Sequence, residues 1–182
     1  GGISVAVGMH EAVEYVQTYR RINRRIKGLW KTAGDAIPKM AAGHWGMLTN
    51  MPEINFVGNR LLLPNSTSIA YPELGTVNIT DYGPQWAYTT RKGSVHIYGG
   101  KVVENAVQAL ARVVIVDHML KIRERYHIVL QAHDEIVVCV PENDADEARE
   151  FIKGIMSTPP AWAPTLPIAC EISAGRNYGE CK

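Results

Sequence analysis

Apolar residues recur at three- and four-residue steps over positions 9–33. Ala12, Tyr15, Tyr19, Ile22, Ile26, Leu29, Trp30 and Ala33 share one face of a period of about 3.6, which predicts a single long helix. Positions 37–42 predict a short second helix before Gly43. Segments 59–63 and 68–71 predict a hairpin turning through Pro64, Asn65 and Ser66. Positions 82–100 are rich in Gly, Thr and aromatics and predict a loop with one or two short strands. The helical period returns over 101–126, where Val102, Val103, Ala106, Val107, Leu110, Val113 and Val114 make a broad apolar band. Two runs rich in Ile and Val, 127–132 and 136–140, then predict an antiparallel hairpin with His133, Asp134 and Glu135 at its tip. Pro141 ends that strand. Asp144 with Glu147 resembles a capping box for a helix that buries Ala145, Ala148, Phe151 or Ile152, and Ile155. Pro159 and Pro160 stop it, and 166–174 predicts a last strand able to pair with the hairpin. The order helix, hairpin, helix, strand predicts an α+β fold, an antiparallel sheet with helices on one face.

Composition narrows the class without naming it. A chain of 182 residues is one ordinary domain or parts of two, and 46% hydrophobic residues suffice for a real core. The net charge of +1 says nothing about nucleic acid, because the placement of charge decides that. Cys139, Cys170 and Cys181 form no CxxC or zinc spacing, which suits free thiols in a reducing cytoplasm. No apolar run approaches the roughly 18 residues of a membrane span, so no membrane partner is expected. No basic stretch precedes an apolar one at the N-terminus, so no signal peptide is expected.

The polar positions change the picture. Arg20, Arg24, Lys27 and Lys31 lie at i, i+4, i+7 and i+11, one narrow stripe on a helix, and Arg21 and Arg25 widen it. Charge runs are often solvated faces, yet few acids beyond Glu14 stand nearby, so contact with a phosphate backbone is the other reading. Lys101, Asn105, Gln108 and Arg112 repeat that spacing as a row of hydrogen-bond donors, which suits phosphates and base edges. Trp86, Tyr88 and Tyr98 read as local core before they read as base-stacking platforms. At the hairpin tip Asp134 and Glu135 repel each other unless a cation neutralises them. An acidic solvated turn and a Mg²⁺–phosphate site both fit.

Three stretches in this order carry a resemblance: YGGKVVENAVQALAR (98–112), IVLQAHDEIVVCVP (128–141) and STPPAWAPTLPIACEISAGRNYG (157–179). Together they resemble the C-terminal palm region of family A DNA polymerases of the bacteriophage or prophage type. The RLLLPNS and AYPE stretches fit the preceding segment, so 1–98 is expected to connect fingers to palm and 99–182 to form the end of the palm. The resemblance implies DNA-directed DNA synthesis by nucleotidyl transfer with two Mg²⁺ ions, in the cytoplasm of a bacterial host. It implies primer–template DNA and deoxynucleoside triphosphates as partners. Asp134 takes the role of a metal aspartate, Glu135 a secondary carboxylate by the metal, and His133 a contact to the primer-terminal backbone. Asn105 and Gln108 take DNA-binding roles, although the family commonly spaces this pair four apart and here they are three apart. Lys101, Arg112, Arg20, Arg24 and Lys27 are DNA-binding candidates on the stripes alone.

The family's other metal motif, like D-Y-S-x-I-E, and its fingers helix, R-x₃-K-x₆-YG, are absent from these residues; Asp81-Tyr82 is followed by Gly83-Pro84 instead. The chain is therefore expected to need the remainder of a polymerase and to be inactive alone. Two other readings stand beside this one. A non-catalytic nucleic-acid-binding remnant would keep the basic and polar stripes without chemistry. A metal phosphohydrolase would use His133 and Asp134 as ligands, but the remaining histidines lack ligand spacing.

Overall fold

A computed structural model of the chain describes residues 7–50, 53–79 and 83–181. It is a mixed α+β structure with antiparallel sheets. Two compact units, Gly1–Val107 and Gln108–Lys182, divide within helix α3 (Gly99–Arg123).

The first unit opens with α1 (Met9–Ile22) and α2 (Arg24–Ala41), where a single helix was predicted. The break is Asn23, at φ −95° and ψ 52°. Its backbone N and its Nδ2 both donate to the Tyr19 carbonyl, at 2.9 and 3.1 Å. An Asn amide competes for backbone acceptors and so offers the chain an exit from the helix. The apolar period cannot register this, because it resumes on the far side. Tyr19 and Trp30 stack with centroids 6.1 Å apart. In a straight helix eleven residues rise about 16 Å, so the chain bends back at Asn23. The predicted short helix at 37–42 is instead the end of α2, with Pro38 inside it. Burial of Ala33, Ala36, Ile37 and Met40 on the same helix offsets the backbone bond that Pro38 removes.

Strands β1 (Trp45–Met47), β2 (Asn55–Val57), β3 (Arg60–Leu62) and β4 (Ser68–Ala70) form an antiparallel meander. The β3–β4 pair is the hairpin expected here, with Leu61 opposite Ile69. Strands β5 (Gly75–Ile79), β6 (Gly83–Thr90) and β7 (Gly93–His96) form a second meander. Positions 83–96 are thus more regular than the predicted loop. Trp86, Tyr88 and the Thr residues favour strand, and Ala87 is buried. Tyr88 packs edge-on against buried Tyr71 at 5.2 Å, whereas Tyr98 is exposed. Phe56, Leu61, Tyr71, Met40 and Val102 make up much of the buried core. At the start of α3, Gly99 meets α2 so closely that a Cβ there would lie 1.8 Å from the Trp30 carbonyl oxygen.

The second unit holds the rest of α3, β8 (Ile128–Ala132), β9 (Glu135–Val138) and α4 (Ala145–Met156). Among the described residues, β8 and β9 pair only with each other. The strand predicted at 166–174 is absent; 157–174 is irregular. Pro159, Pro160, Pro164 and Pro167 strip the segment of the donors a ladder needs. It is tied down instead by buried His118 of α3, whose Nε2 donates to the Thr158 carbonyl at 2.9 Å. The capping box is also absent, since Asp144 makes no side-chain cap bond. Glu147 instead accepts from Arg125, whose guanidinium lies over the Tyr126 and Phe151 rings. That bond to Glu147 raises the Arg125 pKa. Among the described residues, no helix is long and apolar enough to cross a membrane.

Candidate functional site

The turn between β8 and β9 is tighter than predicted. Ala132 pairs with Glu135, so the tip is His133 and Asp134, and Glu135 opens β9. His133 has φ +53°, the left-handed region, at a roughly 1 kcal/mol cost for a residue with a Cβ. Histidine tolerates this region better than most residues, and that replaces the glycine missing from the turn.

Two side chains brace the tip. Gln131 Nε2 donates to the His133 carbonyl at 2.6 Å, and its Oε1 accepts from Arg112 Nη1 at 2.7 Å. Both ends of one amide are thus used, linking α3 through β8 to the turn. On the other strand Glu135 Oε2 accepts from the Tyr178 hydroxyl at 2.5 Å. That bond, chiefly, pushes the Tyr178 phenol above its ordinary value. Asp134 is exposed and, among the described residues, has no hydrogen-bond or ion-pair partner.

The four polar positions of α3 part ways. Lys101 pairs with Glu104 at 2.9 Å, which raises its pKa. Asn105 donates to the Tyr71 hydroxyl at 3.4 Å, and burial pushes that phenol up while the Asn105 bond acts against it. Arg112 is held by Gln131. Gln108 is exposed and, among the described residues, has no side-chain partner.

The bend at Asn23 gathers the basic stripe into a groove. Arg20, Arg24, Lys27 and Lys31 line one open concavity of about 600 Å³ with Gln17 and Arg21. Lys31 is paired with Asp35 at 2.8 Å, and Arg24 Nε donates to the Arg21 carbonyl at 3.3 Å. Among the described residues, no carboxylate pairs with Arg20, Arg21, Arg24 or Lys27.

A hard divalent ion takes one or two protein carboxylates, with water and phosphate oxygens completing its shell. Asp134 fits one such position, and Glu135 keeps an oxygen free of Tyr178. Among the described residues, no group of three His, Cys, Asp or Glu is placed to hold a metal. The pair fits one side of an ion site and not a whole one. Asp81 and Tyr82 lie outside the described residues. Gln131 and Tyr178 were missed by the sequence reading. The first had a signal, an amide inside an apolar run two residues before the tip. The second, 43 residues from Glu135, had none.

No protein-family model matches the chain, and no solved structure matches it. A DNA polymerase of Bacillus phage SP02 is 28% identical over 94% of this chain and 28% of its own length. A thermostable DNA polymerase I of Thermus filiformis is 39% identical over 56 residues, 31% of this chain and 6% of its own. The chain therefore spans about a quarter of the phage relative it matches and a small part of the bacterial one. These relatives bear out the resemblance carried by the VQA, HDE and TPPAW motifs: the chain is similar to family A DNA polymerases of the phage type.

Proposed function

We infer that this chain works as part of a template-directed DNA polymerase, its second unit being the end of a palm-type fold. The observation that carries the reading is the state of Asp134: an unpartnered carboxylate on a hairpin tip braced by Gln131 and, through Glu135, by Tyr178. Bound there, Mg²⁺ ions would activate a primer hydroxyl and neutralise charge on the phosphates in transfer. Asp134 supplies one carboxylate to that site, and Glu135 stands beside it with one oxygen engaged. The rest of the ligand set comes from elsewhere in the polymerase. The Gln131 amide fixes the turn, because phosphoryl transfer tolerates only small errors in ligand position. His133 faces the primer end. Gln108 lies one helical turn before Arg112, hence on the α3 face that reaches the hairpin, where its amide is open to primer–template bases. Deoxynucleoside triphosphates are the substrates.

A non-catalytic nucleic-acid-binding segment is the second reading. Retention of two adjacent, unneutralised carboxylates at the tip weighs against it, since binding polyanionic DNA gains nothing from them. The test is primer extension with Mg²⁺ and all four deoxynucleotides. The 182-residue chain alone is expected to extend nothing. A polymerase containing this segment should extend the primer, and Asp134→Asn should stop it. Extension by the isolated chain, or an unimpaired Asp134→Asn polymerase, would overturn the reading.

A further inference from the structure

We propose that the groove between α1 and α2 is a binding site for single-stranded nucleic acid. The proposal rests on the nucleic-acid partner inferred above but not on any chemistry at Asp134. Its first support is shape. Arg20, Arg21, Arg24 and Lys27 share one concavity of about 600 Å³, whereas a straight helix would present them as a convex ridge. A convex ridge touches one rail of a duplex from outside. An open concavity lined by cations from both helices can instead surround the backbone of a single strand on two sides. Gly28, whose Cβ would meet nothing within 4 Å, keeps the floor of the groove open.

The second support is charge without neutralisation. Among the described residues, Lys31 is the one lining cation with an ion-pair partner. Four clustered cations with no carboxylate partner repel one another, and a phosphate backbone removes that repulsion while releasing its own counterions. The third is aromatic. Tyr19 and Trp30 flank Arg20 and Lys31 in the chain, stack at 6.1 Å with planes 19° apart, and Tyr19 stays 46% exposed. Tyr19 and Trp30 do not line the concavity itself; a basic groove with an exposed aromatic ring on the same helix pair is a combination that binds single strands without reading sequence.

The test is fluorescence anisotropy on the full chain with a labelled oligodeoxynucleotide of about ten residues, its duplex, and inorganic polyphosphate as competitor. The single strand is expected to bind at least tenfold tighter than the duplex. Its affinity should fall with salt at a log–log slope of about −2 to −3, the value for three to four phosphates on a single strand. The pair Arg20→Glu and Lys27→Glu should lose at least tenfold in affinity at an unchanged melting temperature, and Arg21→Glu should move the same way. Lys153→Glu on α4, charge-matched to Arg21→Glu, is a control expected to change nothing. Equal or tighter duplex binding, unchanged affinity in the groove variants, or equal losses in the control would overturn the proposal. So would Tyr19→Ala binding as wild type, with polyphosphate matching the oligonucleotide phosphate for phosphate. Asp134→Asn should leave this binding intact, so failure at the groove and failure of the polymerase reading are separable.

Discussion

Arg112 Nη1 donates to Gln131 Oε1 at 2.7 Å, and the same amide donates to the carbonyl of His133. Arg112, a DNA-binding candidate from its place on α3, thus also holds the amide that braces the acidic turn. Because Arg112 is exposed, the bond is worth little to global stability. A double-mutant cycle of Arg112→Ala and Gln131→Ala in urea should give a coupling of about 0.5 kcal/mol. Strict additivity would show that the two side chains do not act together.

Asp134→Asn keeps the shape of the turn and removes the charge. Losing a metal carboxylate costs several kcal/mol of transition-state stabilisation, so synthesis by the polymerase should fall by about 10³-fold or more. Primer–template affinity should stay within about threefold, on the order of 0.7 kcal/mol. Filter binding beside primer extension separates the two, and parallel losses would make Asp134 a structural residue.

Tyr178 should report on Glu135 through pH. Its phenol is raised above 10.0 mainly because the hydroxyl donates to the Glu135 carboxylate. A group whose folded pKa lies above its unfolded value stabilises the fold below the unfolded pKa and loses that contribution as pH rises through the folded one. Tyr178→Phe should therefore be less stable than wild type at neutral pH, and the gap should close above pH 10. A gap that widens with alkalinity would contradict the bond.

Asn105 and Gln108 sit three residues apart and should behave differently. Asn105→Ala deprives the buried Tyr71 hydroxyl of a donor and should cost about 1 kcal/mol of stability. Gln108→Ala should leave the melting temperature unchanged and weaken primer–template binding or fidelity. A destabilised Gln108→Ala with normal binding would reverse the assignment.

Two glycines should answer alanine with opposite signs. At Gly99 the new Cβ would lie 1.8 Å from the Trp30 carbonyl, a backbone atom that cannot step aside, so a loss of about 3 kcal/mol or more is expected. At Gly154, inside α4, a Cβ meets nothing within 4 Å, and the better helix former should add about 0.5–1 kcal/mol. Thermal melts of both variants check the pair.

Period was enough to locate α3, because burying one face leaves a repeat that survives in one dimension, and Ile- and Val-rich composition was enough to locate the strands around HDE. Motif order was enough to point to the polymerase family. The same reading joined α1 to α2, because a single Asn taking two bonds to one carbonyl leaves no mark on apolar spacing. It placed a strand at 166–174 because an apolar run looks alike whether or not a ladder forms, and Pro167 removes a donor within it while Pro159, Pro160 and Pro164 break the chain leading into it.

At the site, the residue types Asp134, Glu135 and Gln108 could be picked out from neighbours in the chain. Which carboxylate stays open could not. Glu135 is engaged by a tyrosine 43 residues away, and among the described residues no partner reaches Asp134. The helical stripe gave Lys101, Asn105, Gln108 and Arg112 equal standing. Folding then occupied three of them with Glu104, Tyr71 and Gln131. Local spacing determines which side chains share a face, and it could have paired Lys101 with Glu104 one turn away; only the folded chain determines that Asn105 and Arg112 already have partners, because Tyr71 and Gln131 come from segments 34 and 19 residues away.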